Sequence, residues 1–370
     1  MNTIIRVLHV VTTMNQGGAE TMLMNYYRHI DRSKLQFDFL LHREEVGAYE
    51  EEILAMGGKI HRLPALTIRT AWKYRKWIYD FLKSHPEYEC IHIHSTGVAY
   101  FVAKAASKLK RKVIIQHSHC CAPDKADVLY PIRVLCKYAT KQYLTHFFSC
   151  GLEAAEWQFG KKDAKDSIIL PNAVDCEKFR YNEERHHALR KELGWEDKYV
   201  IGNVARFCPQ KNHFQLLEIF KATLNIKPDA YLVLVGKKDG YYKELKQRVD
   251  EMGLSNHVEF TGARTDIPNL LQAFDIFLFP SLFEGLSVAM VEAQAAGLKI
   301  IASENIAKEV AICPDLVDFL PLSKTYDSWV EHIKSPYIRR DTCLEICAAG
   351  FDIQANATML QDFYISQHQS

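Results

Sequence analysis

The sequence has no apolar run of eighteen residues, no CxxC pair, no internal repeat and no low-complexity segment. Without a long apolar run, no membrane-spanning helix is predicted. The stretch Ile4–Val11 is too short and too interrupted for a signal peptide, and it is predicted to be a buried strand instead. The ten cysteines include the adjacent Cys120 and Cys121, and Cys343 with Cys347 on one face of a predicted helix. This usage fits reduced thiols in a cytosol better than a disulfide framework.

The net charge is also close to zero, at +1, but the charged residues are distributed unevenly along the chain. The first 170 residues contain 24 Lys and Arg against 17 Asp and Glu, whereas the rest of the chain contains 22 against 28. In the basic half, cations are interleaved with Trp and Tyr over Arg69–Trp77, and a second cluster covers Lys104–Lys112. Such clusters suit an anionic membrane surface or nucleic acid, although a solvated helix face explains either cluster equally well.

Strand-like and helix-like patterns alternate along the chain, and the alternation restarts after the turn at Pro171-Asn172. A chain of 370 residues suits two domains. We therefore predict an α/β fold in which two doubly wound, Rossmann-like domains of parallel strands face a cleft. The predicted boundaries are 1–170 for the first domain, 171–195 for a hinge, 196–345 for the second domain, and 346–370 for a C-terminal helix that packs back on the first domain.

The most informative motif surrounds two glutamates that lie eight residues apart. An apolar strand, Asp275–Phe279, is followed by a helix that is predicted to begin near Gly285 and to carry Glu292. Backbone N–H groups at such a junction suit a phosphate, and Glu284 and Glu292 could bind hydroxyls on either side of a diphosphate, as in a nucleotide-sugar. Chance spacing on a solvated helix is the alternative. Because this helix is rich in alanine, it is predicted to be buried, and a buried Glu needs a partner.

Two other predicted strand ends carry residues that suit a phosphorylated ligand. Gly17 and Gly18 follow the first strand, permit close backbone approach and open a helix. They do not form GxGxxG, so a dinucleotide site is disfavoured, and a tight turn without a ligand is the alternative. Arg206 and Lys211 lie in one loop after a strand of the second half, where they could neutralise a diphosphate. The alternative is a surface loop in which the two cations have no function.

A His-x-His pair, His117 and His119, follows another apolar strand. A histidine at this position can act as an acid, a base or a hydrogen-bond donor near neutral pH, although a structural role is equally open for each one. The pair could also bind zinc, but no third ligand with suitable spacing follows, so no metal site is predicted.

Taken together, these residues resemble the retaining nucleotide-sugar glycosyltransferases of family four, which have the two-domain GT-B fold. More narrowly, they resemble the bacterial exopolysaccharide and capsule transferases of that family. The resemblance covers nearly the whole chain, and its most specific element is Glu284-x7-Glu292 within Phe-Glu-Gly-Leu-Ser. Pro171–Asp175, and Arg206 together with Lys211, add to it.

The resemblance implies roles for individual residues. Glu284 would hold hydroxyls of the donor sugar, and Glu292 would hold the ribose. Arg206 and Lys211 would stabilise the leaving diphosphate in place of a metal ion. A histidine would lie near the anomeric carbon: His117 and His119 are both candidates, and His117 is preferred because it is predicted to end the strand directly. Further donor contacts are implied for Gly17, Gly18, Arg264, Gly285, Leu286 and Ser287.

The resemblance also implies an activity, namely transfer of a hexosyl group from a UDP-sugar to a lipid-diphosphate-linked saccharide with retention of configuration. The transfer would belong to exopolysaccharide or capsule synthesis and would need no metal cofactor. The enzyme would be cytoplasmic and peripheral on the anionic inner membrane surface, and it would not bind nucleic acid. Two alternatives are a UDP-sugar 2-epimerase-like isomerase of the same fold and a noncatalytic sugar-binding partner in assembly.

Overall fold

The structure is a computed structural model that describes residues 4–15, 17–119, 130–238 and 240–369, so Cys120 and Cys121 lie outside the described residues. The chain divides into two compact units. The first unit comprises Met1–Ala173 and Ile353–Ser370, and the second comprises Val174–Asp352. Most of the predicted hinge, 171–195, therefore belongs to the second unit, and the C-terminal helix belongs to the first.

The first unit is built on a sheet of seven parallel strands in the order β3-β2-β1-β4-β5-β6-β7. The strands are β1 Ile5–Val10, β2 Leu35–Leu41, β3 Ile60–Arg62, β4 Cys90–Ile93, β5 Val113–Ser118, β6 His146–Ser149 and β7 Ile168–Ile169. The helices are α1 Gly18–His29, α2 Glu50–Ala55, α3 Ala71–Ser84, α4 Thr96–Lys108, α5 Tyr130–Thr140, α6 Leu152–Asp163 and, from the end of the chain, α15 Ile353–Gln369.

The second unit is built on a sheet of six parallel strands in the order β10-β9-β8-β11-β12-β13. The strands are β8 Tyr199–Val204, β9 Ala230–Val235, β10 Val258–Gly262, β11 Ile276–Phe279, β12 Lys299–Ser303 and β13 Val317–Leu320. The helices are α7 Cys176–Phe179, α8 Glu183–Leu193, α9 His213–Leu224, α10 Gly240–Glu251, α11 Ile267–Ala273, α12 Val288–Ala295, α13 Tyr326–Lys334 and α14 Cys343–Ala348.

Each sheet has an apolar cluster on both of its faces. Successive residues of a strand point to opposite faces, so both sets of side chains in the central strands are buried. In β1, Val7 packs into one apolar cluster and Leu8 into the cluster on the other face. In β8, Val200 and Ile201 are divided between two clusters in the same way. The strands therefore contain nearly continuous apolar runs, which is why the α/β fold could be predicted from the sequence.

The described structure differs from the expected elements mainly at their ends. Helix α12 begins at Val288, three residues after the predicted start near Gly285, because residues 285–287 form the loop that leads into it. Strands β6, β7 and β13, of two to four residues, were not predicted. Among the described residues, no helix is long and apolar enough to span a membrane.

Candidate functional site

The carboxyl ends of β8 and β11 adjoin at one edge of the second sheet, because these two strands pair in parallel. They lie where the strand order reverses, with β9 on one side and β12 on the other, which is the usual location of a ligand site in such sheets. Hydrogen bonds hold the two following loops together. The Leu282 N–H donates to the Gln210 carbonyl at 2.8 Å, and the Asn212 side chain donates to the Pro280 carbonyl at 3.0 Å.

An ion pair joins the same two loops. Lys211 Nζ donates to Glu284 Oε1 at 2.5 Å, and only 13% and 10% of the two side chains are exposed. Lys211 Nζ also lies 4.9 Å from the centroid of the Phe279 ring. Two of the predicted site residues are therefore in direct contact. A ligand that uses both of them must exchange this ion pair for contacts of its own.

Arg206 lies at the same edge, two residues after β8 ends. Its side chain is exposed, and no described residue forms a hydrogen bond or an ion pair with its guanidinium. The backbone before it is fixed by close packing, since a Cβ on Gly236 at the end of β9 would lie 2.2 Å from the Ala205 carbonyl oxygen. The loop thus carries an exposed cation, Arg206, five residues before Lys211.

Glu292 occupies the second turn of α12, a helix in which most side chains are buried. Among the described residues, none contacts its carboxylate by a hydrogen bond or an ion pair. Burial raises the pKa of Glu292 to about 8, because a carboxylate removed from water is penalised in its charged form. An unpartnered carboxylate in this position is suited to accept hydrogen bonds from two ligand hydroxyls.

The remaining predicted residues of the second unit lie in two loops, one before α12 and one after β10. Ser287 is the residue before α12, is buried, and makes no side-chain cap to the helix. Gly285 and Leu286 precede it in the connecting loop and are half-buried. Arg264 follows β10 and forms a bidentate ion pair with Asp266, at 2.6 and 2.7 Å. Its guanidinium is therefore already engaged, so any ligand contact through its side chain must compete with Asp266.

In the first unit, Gly17 and Gly18 lie where α1 begins, after the loop that follows β1. Gly18 has open space where a Cβ would be, whereas a Cβ on Gly17 would meet the carboxylate of Glu20 at 2.3 Å. The open space beside Gly18 leaves the start of α1 accessible to a ligand.

His117 lies inside β5, which extends one residue further, to Ser118, so it does not end the strand as predicted. The residue is 1% exposed, and no described residue forms a hydrogen bond with either ring nitrogen. Burial lowers its pKa well below the ordinary value, so the ring is neutral at pH 7. Three histidines not considered from the sequence, His9, His92 and His94, lie in the same cluster.

The second-unit residues can bind a diphosphate flanked by two hydroxyl-bearing groups. Arg206 and Lys211 supply positive charge, and the two glutamates supply acceptors for hydroxyls. Both cations follow strand β8, and both glutamates follow the neighbouring strand β11. The two cations can therefore stabilise the negative charge that develops on a leaving diphosphate.

Comparison with known proteins shows similarity to glycosyltransferases. The model of the family "Glycosyl transferases group 1" matches residues 186–337. A putative glycosyltransferase, EpsF of Bacillus subtilis, is 34% identical over 97% of this chain and 96% of its own length. An Escherichia coli UDP-Gal:alpha-D-GlcNAc-diphosphoundecaprenol alpha-1,3-galactosyltransferase is 31% identical over 78% of both chains.

Solved structures share the fold at low sequence identity. Anabaena Alr3699/HepE in complex with UDP superposes with a TM-score of 0.72 at 18% identity, covering 98% of this chain and 97% of that one. Sucrose-phosphate synthase of Thermosynechococcus elongatus gives a TM-score of 0.74 at 15% identity, covering 98% and 99%. These similarities show the GT-B fold.

Proposed function

This chain belongs to the group 1 glycosyl transferases, and we propose that it transfers a sugar from a UDP-sugar to a lipid-diphosphate-linked saccharide in exopolysaccharide or capsule synthesis. Family membership makes it a glycosyltransferase of GT-B fold, rather than the epimerase or the noncatalytic partner that the sequence had left open. The donor, the acceptor and the retention of configuration are the proposed parts.

The observation that carries the proposal is the pair of glutamates with opposite environments. Glu284 is held by Lys211 at 2.5 Å, whereas Glu292 is partly buried and has no partner among the described residues. A carboxylate that is partly removed from water is costly to leave without a hydrogen bond. We attribute this unpartnered carboxylate to a ligand site, in which the ribose hydroxyls donate to Glu292 and the sugar hydroxyls donate to Glu284.

The proposed reaction breaks the bond between the anomeric carbon and the diphosphate of the donor. Negative charge grows on the leaving UDP, and Arg206 and Lys211 stabilise it. The N–H groups of Gly285, Leu286 and Ser287 face the phosphates, and the backbone around Arg264 meets the base. For Gly17, Gly18 and His117, which belong to the first unit, the roles are those that the resemblance implies. Proton NMR of the product tests retention, since an inverted anomeric configuration contradicts it.

Relatives and structural neighbours support UDP as the nucleotide. The Escherichia coli relative is named for UDP-Gal, and Alr3699/HepE has been crystallised with UDP, with UDP and glucose, and with UDP-glucose. Other relatives are named as GDP-mannose-dependent mannosyltransferases. The same Escherichia coli name supports a diphosphoundecaprenol-linked acceptor, and the Staphylococcus aureus relative CapH supports a role in capsule synthesis.

Binding of UDP is expected to strengthen as the pH rises toward 8. The ribose hydroxyls need an ionised Glu292 as acceptor, yet the free protein keeps this group protonated below its raised pKa of about 8. Binding therefore releases a proton, and the affinity should rise by up to about tenfold per pH unit below 8 and level off above it. Calorimetric titration of UDP between pH 6 and pH 9 measures this.

Glu292→Gln is the matched control for the pH series, because the titration of UDP itself affects both proteins equally. The difference between their pH slopes isolates Glu292. A variant that binds UDP as tightly as the native protein, with the same slope, would remove Glu292 from the donor site.

A basic, aromatic groove between α3 and α4 supports the proposed contact with an anionic membrane. It has a volume of about 560 Å³ and is lined mainly by aromatic and cationic side chains of the two helices. Trp72 at its rim is 81% exposed. Amphipathic aromatic rings and cations together suit the headgroup region of a bilayer.

Removing three cations of this groove is expected to weaken binding to anionic vesicles by roughly 100-fold, at about 1 kcal/mol for each Lys or Arg near the surface. The variant is Lys73→Ala, Arg75→Ala and Lys108→Ala together. Sedimentation with phosphatidylglycerol vesicles measures it, and high salt should weaken binding of the native protein.

The matched control removes Lys161, Lys162 and Lys165, which are exposed elsewhere in the first unit. Vesicle binding that is insensitive to salt, or equally reduced in both triple variants, would contradict a docking role for this groove.

A further inference from the structure

Five histidines converge at the carboxyl end of the first sheet. His9 of β1 pairs directly with His92 of β4, and β4 pairs in turn with β5, which carries His117. His94 and His119 lie two residues beyond His92 and His117, and therefore on the same face. Ring centroids lie 4.3 Å apart for His92 and His94, 4.1 Å for His117 and His119, and 5.1 Å for His94 and His119.

Hydrogen bonds within the cluster leave several nitrogens without partners. His94 shares one hydrogen bond with His9, at 3.0 Å, and another with His119, at 2.8 Å. Both ring nitrogens of His117, and Nδ1 of His119, are buried and have no hydrogen-bond partner within the described ranges. Since each such atom costs free energy when it is removed from water, hydrogen bonding alone does not account for the cluster.

We propose that His94, His117 and His119 bind a divalent transition-metal ion of the zinc type, each through one ring nitrogen. The three ligand atoms already lie within 4.8 Å of one another. A tetrahedral zinc site with Zn–N bonds of about 2.05 Å spaces its nitrogens about 3.4 Å apart, so small side-chain shifts complete the site. The ion replaces the hydrogen bond between His94 and His119 and gives His117 its missing partner.

The chemistry of the cluster suits a metal ion. Imidazole binds zinc in its neutral form through one ring nitrogen. His9 hydrogen-bonds the far nitrogen of His94, which is the usual way in which a second group orients a ligating histidine. Three protein ligands leave the fourth position open.

Of the two histidine triads, the outer one is the better site. The inner triad consists of His9, His92 and His94, but His9 and His92 are fully buried, and Nδ1 of His92 is bonded to the Tyr364 hydroxyl at 2.5 Å. His94 and His119 are partly exposed and provide a route for the ion. Because the triads share His94, we expect one ion per chain.

All three ligands lie in the first unit, whereas the cations and glutamates proposed to bind the donor lie in the second. His117 is also the histidine preferred for the role that the resemblance implies in the transfer. No third ligand with suitable spacing follows His119 in the sequence, so no metal site was predicted. The proposed third ligand, His94, follows a different strand, β4.

The test titrates Co²⁺ into the full-length protein after removal of metal with a chelator. We expect one equivalent to bind with the visible d–d absorption of tetrahedral Co²⁺, and Zn²⁺ to displace it. His94→Asn and His119→Asn should each abolish the absorption, whereas His146→Asn, a histidine of the same unit outside the cluster, should leave it unchanged. His119 is at the rim, so its variant tests the site even if His94→Asn fails to fold.

Absence of visible absorption, or absorption that survives both cluster variants, would overturn the proposal. Within the described part of the chain, the thiols of Cys176, Cys343 and Cys347 in the second unit form a competing group. Binding there would produce strong near-ultraviolet thiolate charge transfer that Cys343→Ser removes and the histidine variants do not. That outcome also overturns the histidine site, without affecting the proposed transferase activity.

Discussion

Replacing Arg206 with alanine is expected to lower kcat by about 10²–10³-fold, the usual cost of removing one preorganised group that stabilises transition-state charge. Arg206 stands at the end of β8, exposed and without a partner among the described residues. Its guanidinium has no structural ion pair to lose, so the effect should appear in turnover and not in stability. The KM for the donor should change much less than kcat, because charge on the diphosphate grows only as the bond breaks.

Steady-state release of UDP measures this, with thermal unfolding as a check on folding. Arg206→Lys should recover part of the activity, since lysine keeps the charge but not the bidentate geometry. The matched control is Arg248→Ala, a surface arginine of the same unit that pairs with Glu218. Normal turnover in Arg206→Ala would remove this residue from the reaction.

Separating the buried ion pair of Lys211 and Glu284 is expected to reduce both stability and activity. Either Lys211→Met or Glu284→Gln leaves one largely buried partner alone, which should cost about 2 kcal/mol of folding stability after allowance for partial exposure. Turnover should fall by about 10²–10³-fold in each, since the leaving diphosphate or the donor sugar loses a contact.

The double variant, Lys211→Met with Glu284→Gln, distinguishes a structural role from a functional one. Removing both charges leaves no unpaired ion, so the melting temperature should recover most of the loss while activity stays low. Activity that recovers together with stability would show that the pair only supports the fold. Turnover and thermal unfolding of all four proteins complete the cycle.

The parts of the fold that could be predicted are those with an apolar, alternating pattern. Strand β1, Ile5–Val10, lies within the predicted Ile4–Val11, and strand β11, Ile276–Phe279, starts one residue after the predicted Asp275 and ends at the predicted Phe279. The start of α12 was misplaced, since glycine after a strand also fits an extended loop. Short edge strands such as β7, of two residues, carry no detectable pattern.

Neighbours across the sheets could not be predicted, and they determine much of the candidate site. The contact of Lys211 with Glu284 spans 73 residues of sequence. The histidine cluster joins β1, β4 and β5, so His9 and His94 could be related only once the strand order was known. One signal was available, since His92-x-His94 repeats the pattern of His117-x-His119, and an alternating strand places all four on one face.

The most direct test of the central claim is thermal unfolding of the native protein and of Glu292→Ala against UDP, UDP-sugars, GDP, ADP and their sugars, with EDTA present throughout. Ligand at 100 times its Kd stabilises the folded state by about 2.7 kcal/mol, so binding is easily detected. We expect UDP and one UDP-sugar to raise the melting temperature of the native protein selectively, and to have little effect on Glu292→Ala. No shift with any uridine nucleotide, or an equal shift in the variant, would contradict a UDP-sugar site built on Glu292.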